Sequence, residues 1–199
     1  MPWLRNALQL SEAQAYSCLL VQSAVTLISV PCWISIANRT SKHKSVVAAL
    51  SVAVIINFGA CLLVVVAPQQ AVYTAVVYCT LTGFVAGGFL AIPPSMIPDV
   101  ADLDDLMVGK PRVGFLYACM GVVTKLALGV GVVAATSLAA FVSFALEGGT
   151  IAQEATRTAA SMIILVLPGI AFGCAALIMH GYSLTREELL TVQKDVRGR

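Results

Sequence analysis

Residues 94–131 read PSMIPDVADLDDLMVGKPRVGFLYACMGVVTKLALGVG, and this stretch decides the fold class. It opens on prolines and four aspartates, passes a short basic turn at Lys110 and Arg112, and then becomes an apolar run in which Lys125 is the lone charge. Apolar runs of more than about 18 residues meet the length criterion for a membrane-spanning helix. The whole chain shares this character: 59% of its 199 residues are hydrophobic and 11% are charged, and its mean hydropathy is +0.90. A soluble domain of this size carries about 45–50% apolar and roughly 25% charged residues. The expected fold is an all-α, polytopic membrane helix bundle.

Outward from that stretch, five spans are expected, over residues 15–37, 45–67, 71–97, 114–141 and 159–182, followed by a tail over 183–199. Each exceeds the ~20 residues that cross a ~30 Å hydrocarbon layer at 1.5 Å per residue. Pro93, Pro94 and Pro98 are read as closing the third span, and Pro168–Gly169 as kinking the fifth. The basic residues set the orientation. Arg39, Lys42, Lys44, Lys110, Arg112, Arg186, Lys194, Arg197 and Arg199 fall on one side, nine against Arg5 and Arg157 on the other. The richer side, with the carboxyl terminus, is therefore expected to be cytoplasmic. Five spans then leave the amino terminus outside with no signal peptide to export it, so the chain is expected to be a fragment of a longer protein.

Several functions are disfavoured. A net charge of +2 with no Lys/Arg patch interleaved with aromatics argues against nucleic-acid binding. The six cysteines stand singly, without C-x-x-C pairs, and read as small apolar packing residues. His43 and His180 belong to no catalytic or metal-binding pattern, and no nucleophile elbow or phosphate-cradling loop is present. No enzyme activity and no cofactor are expected.

Four features carry candidate roles. Lys125 lies about 18 Å along a helix from Arg112, too deep for easy snorkelling. A lysine there costs at least ~2.5–3.5 kcal/mol unless a carboxylate, water cavity or substrate meets it. It reads either as half of a buried structural ion pair or as part of a polar pathway. Asp99 and Asp102, three apart, share a helix face, with Asp104 and Asp105 expected in the loop beyond. They read as a solvated loop or as a gate pairing with Arg112, Lys110 or basic groups of a neighbouring helix. The turn ANRTSKHKS, with Arg39, Lys42 and Lys44, reads as a topology anchor or as the other side of such a gate. Gly83-x-x-x-Gly87 and Gly169-x-x-x-Gly173 are small-residue spacings that let helices approach closely. Asn57 reads as an interhelical hydrogen-bonding residue. Asn38-Arg39-Thr40 matches a glycosylation acceptor but falls on the side expected to be cytoplasmic.

The stretch IPPSMIPDVADLDDLMVGKPRVGFLYACMGVVTKLALGVG resembles the glycoside–pentoside–hexuronide cation symporters of the major facilitator superfamily, which include melibiose-type permeases and sodium-dependent lysophosphatidylcholine symporters. The family's tenth-helix pattern of prolines, a methionine and two aspartates falls on Pro94, Met96, Pro98, Asp99 and Asp102. Its basic glycine-containing loop falls on Gly109 to Arg112, and its eleventh-helix lysine on Lys125. Trp33, Arg39, Lys42 and Lys44 resemble the end of helix eight and its basic loop, where Ser41 replaces the usual glycine. The resemblance implies that the five spans are helices eight to twelve of a twelve-helix transporter with its substrate path between two six-helix halves. It implies Lys125 in the substrate or cation pathway and Asp99, Asp102, Arg112, Arg39 and Lys42 at a cytoplasmic gate. It also implies coupling to Na⁺ or H⁺, a sugar or lysolipid-like solute, and a multi-pass protein expected in the plasma membrane. The missing amino-terminal half, or a partner chain supplying it, would then be required for transport. The competing reading is an accessory or regulatory membrane protein that associates with an intact transporter.

Overall fold

The computed structural model describes residues 11–66, 71–108, 112–146 and 152–181. These form five helices, α1 (Glu12–Arg39), α2 (Lys42–Val66), α3 (Ala71–Val108), α4 (Val113–Leu146) and α5 (Ala152–His180). Each contains a segment long and apolar enough to cross a membrane, and no strand occurs among the described residues. Large apolar side chains cover the outside, with Ile28, Leu177 and Ile178 each at least 75% exposed. In water such a surface would aggregate; facing lipid it needs no cover.

Local chemistry sets the helix ends. Ser11 and Gln14 form a reciprocal capping box at the start of α1: the Gln14 amide donates to Ser11 Oγ at 3.3 Å and the Ser11 amide to Gln14 Oε1 at 3.0 Å. At the other end, Thr40 N donates to Ile36 O, and Ser41 then starts α2 by accepting from the Lys44 amide at 3.2 Å. A glycine at position 41 has no side-chain oxygen, so the serine adds a cap that the family pattern lacks.

The helices pair in two ways. α1 lies along α3 in parallel, because Gln22, Ser29 and Trp33 meet Gly83, Gly87 and Gly88 in ascending order. The approach is close: a Cβ on Gly83 would fall 2.6 Å from the Gln22 carbonyl oxygen, and one on Gly88 2.9 Å from the Trp33 ring. The Thr26 hydroxyl is turned back onto Gln22 O and the Ser29 hydroxyl onto Thr26 O, so these two hydroxyls are satisfied within α1. Trp33 Nε1 donates across the seam to Phe84 O at 2.7 Å. α2 lies antiparallel to α5, with Gly169 against Asn57 and Phe58, and Gly173 at ordinary contact with Val54. The α2–α3 seam joins the two pairs and carries most of the core, including Val46, Leu50, Ala53, Val85 and Ile92.

α3 departs from the sequence expectation. Pro93, Pro94 and Pro98 do not close it; the helix runs through all three to Val108 and takes Asp104 and Asp105 with it. Each proline deprives only one upstream carbonyl of its intrahelical donor, a loss that packed membrane helices accommodate. At 38 residues α3 is about 57 Å long. That far exceeds the hydrocarbon thickness, so its acidic end projects beyond the apolar layer. α4 touches α3 and α5 only lightly. Nothing on it between Val113 and Ser137 is buried, and a Cβ at Gly121, Gly129 or Gly131 would meet nothing within 4 Å.

Candidate functional site

Two of the residues singled out for a gate, Lys42 and Asp99, meet at one end of the α2–α3 seam. α2 begins with Lys42, His43 and Lys44 and has no acid in its first turn. Three basic-type residues thus crowd the helix end whose dipole is already positive, where a carboxylate is favoured. That carboxylate comes from another helix: Asp99 of α3 lies with its Oδ2 2.6 Å from Lys42 Nζ. The same ammonium donates to Ser95 O, one turn earlier on α3, at 2.7 Å. Lys42 therefore clamps one turn of α3. The Asp99 side chain is only 12% exposed and that of Lys42 36%, so the pair sits where buried packing gives way to solvent. Asp102 is half-buried one turn further along α3.

Arg112 pairs with Asp104, another carboxylate of the acidic cluster. Its Nε and Nη2 donate to the two oxygens of Asp104 at 3.0 and 2.7 Å, a fork-on-fork arrangement that ties the end of α3 to the start of α4. The Asp104 carboxylate holds the Arg112 guanidinium even more firmly protonated than usual. Asp104 was expected in a loop; its position eight residues before Arg112 on a continued helix is what brings the two together. Arg39 is exposed at the last residue of α1, where its charge complements the negative helix end, and it makes no ion pair among the described residues. Lys110, Gly109 and the tail over 183–199 lie outside the described residues.

Midway along the same seam is a neutral polar contact. Asn57 is buried, donates to Ala53 O at 2.8 Å and accepts from the Tyr78 hydroxyl at 3.3 Å. The expectation for Asn57 came from its polarity alone, and nothing in the spacing pointed to Tyr78 as its partner.

Lys125 is not brought to this site. It lies twelve residues into α4, exposed, and forms no ion pair among the described residues. Gly121 and Gly129 lie one turn to either side of it on the same helix face, and a Cβ at either would meet nothing within 4 Å. Among the described residues no three His, Cys, Asp or Glu side chains converge to hold a metal ion.

Residues 7–186 match the family described as MFS/sugar transport protein. A stretch of 40 residues is 58% identical to an uncharacterized symporter of Synechocystis sp.. That stretch is 20% of this chain and 7% of the relative, so the similarity covers a small part of a much longer protein. No solved structure matches the chain significantly.

Proposed function

We propose that this chain, which belongs to the MFS/sugar transport protein family, supplies helices eight to twelve of a cation-coupled symporter in which the Lys42–Asp99 pair is a latch on the cytoplasmic side. The observation that carries this reading is the part-buried ion pair between the start of α2 and the acidic end of α3. The pair costs desolvation, and a hydrophobic isostere would hold two helices at least as well. A contact that must open and close has a reason to be ionic, since exposure to water stabilises the separated charges. Rocking of helix pairs around a fixed site is the mode of motion of such transporters.

The second element of the proposal is Lys125 on α4. Lys125 is exposed on a helix that buries none of Val113–Ser137. Against lipid that ammonium is unfavourable by kilocalories. Facing the complementary helices of a transporter, it would meet a carboxylate, a coupling cation site or solute. The solute class favoured by the resemblance is a sugar of the melibiose type or a lysolipid, driven by Na⁺ or H⁺, in a plasma membrane with the carboxyl terminus inside.

The test is uptake of labelled melibiose and of labelled lysophosphatidylcholine into vesicles containing the chain together with its complementary helices, under an imposed Na⁺ or H⁺ gradient. Gradient-driven uptake should appear for one solute class, and both Lys125→Ala and Lys42→Met should depress it while the protein remains in the membrane. Uptake indifferent to both gradients and both substitutions would refute the proposal.

A further inference from the structure

The α1–α3 seam ends in two thiols. Gln22 lies over Gly83, and because the helices are parallel, stepping back one turn on each brings Cys18 over Cys79. One turn away the backbones touch, since a Cβ on Gly83 would also fall 3.2 Å from the Gln22 Cα. Ordinary helix pairs keep their axes about 8–10 Å apart, whereas a disulfide needs Cα atoms about 4.4–6.8 Å apart. The glycines at 83, 87 and 88 bring α1 and α3 closer than such an ordinary pair. Cys18 and Cys79 are each 2% exposed and pack with Ala75 in one small cluster. Both thiols are free and lie in that one buried cluster. Of the remaining four cysteines, Cys32, Cys119 and Cys174 are exposed, Cys61 is half-buried, and none belongs to this cluster.

We propose that Cys18 and Cys79 form an oxidisable interhelical crosslink, closed by a lipid-soluble hydroperoxide. The membrane placement selects the oxidant: a hydroperoxide that partitions into the bilayer reaches thiols that aqueous disulfides do not. One sulfur attacks the terminal peroxide oxygen, the O–O bond breaks, and an alcohol leaves, giving a sulfenic acid. The second sulfur attacks the first, the S–S bond forms and water leaves. Two thiols and one hydroperoxide thus become a disulfide, an alcohol and water. The bond fixes α1 to α3 at the end of the seam far from Lys42 and Asp99, making the two helices one body.

The experiment uses the full chain in lipid vesicles treated with cumene hydroperoxide, followed by unfolding, alkylation of free thiols and non-reduced peptide mapping. The expected result is one linked species joining the Cys18 and Cys79 peptides, equal loss of alkylation at both positions, and recovery with dithiothreitol. In Cys79→Ala the linked species disappears and Cys18 remains alkylatable; the wild-type map stands without that variant. Oxidised chain in which Cys18 and Cys79 stay separately alkylatable, are linked to other cysteines instead, or stop at sulfinic acid would overturn the proposal.

Discussion

Replacing Lys42 with methionine keeps the aliphatic stem and removes the charge facing Asp99. Breaking a fully buried pair from one side costs about 3–5 kcal/mol, because the other charge is left without compensation. Exposed pairs are worth about 0–1 kcal/mol. Here the carboxylate side chain is 12% exposed but the lysine is 36% exposed, so water already screens one partner. The expected loss is about 1.5–3 kcal/mol, or about 3–12 °C in Tm for a chain of this size. Asp99→Asn should cost less, about 1 kcal/mol, because Lys42 can turn outward to water. The double variant should cost little more than Asp99→Asn alone, since the orphaned carboxylate is gone. A double-mutant cycle by thermal unfolding in detergent, followed by the fluorescence of the two tryptophans, reads the coupling directly. Coupling of about 1.5–2 kcal/mol is expected, and effects additive within about 0.5 kcal/mol would refute the idea that the pair acts as a unit.

Further outcomes follow from the same contacts. Gly83→Ala should destabilise by about 1–3 kcal/mol, because its Cβ meets the Gln22 backbone, which cannot turn aside. Gly129→Ala, with nothing within 4 Å, should be neutral or raise helix stability by up to about 1 kcal/mol, and unfolding of the two variants side by side checks the contrast. Tyr78→Phe should cost about 0.6 kcal/mol, the usual size of an interhelical hydrogen bond in a membrane, read in the same unfolding assay. Asp104 holds Arg112 above its ordinary pKa, so what the pair contributes is fully present below that ordinary value while Asp104 is ionised, and is lost as pH rises from the ordinary to the raised value. Stability compared between wild type and Arg112→Gln should therefore show a difference that does not change between about pH 6 and 10.

The five spans were legible because unbroken apolar length is itself the physical requirement for crossing a bilayer. The course of α3 was not. Pro93, Pro94 and Pro98 read as stops under the rules of water, where a freed carbonyl and a strained turn end a helix. Packed against α1 and α2, the same residues stay helical, which carried Asp104 to Arg112 and falsified its place in a loop. Lys42 and Asp99 were each named from charge and position, but their partnership depends on antiparallel packing of α2 and α3, which no local pattern states. The cysteines show the same limit. Sixty-one positions separate Cys18 from Cys79 in the chain, and their proximity exists only through the register of the glycine seam.

That seam also bears on how the protein enters the membrane. α1 is the least apolar of the five spans, with Gln22, Ser23, Thr26 and Ser29 among its residues, and its main packing partner is α3. All of α2 is synthesised before that partner emerges. For that interval α1 must wait in the insertion machinery or in lipid with its polar face uncovered. α3 then arrives as the piece that seals it, so substitutions at Gly83 or Gly87 should appear first as failed biogenesis of α1, before any effect on the finished protein.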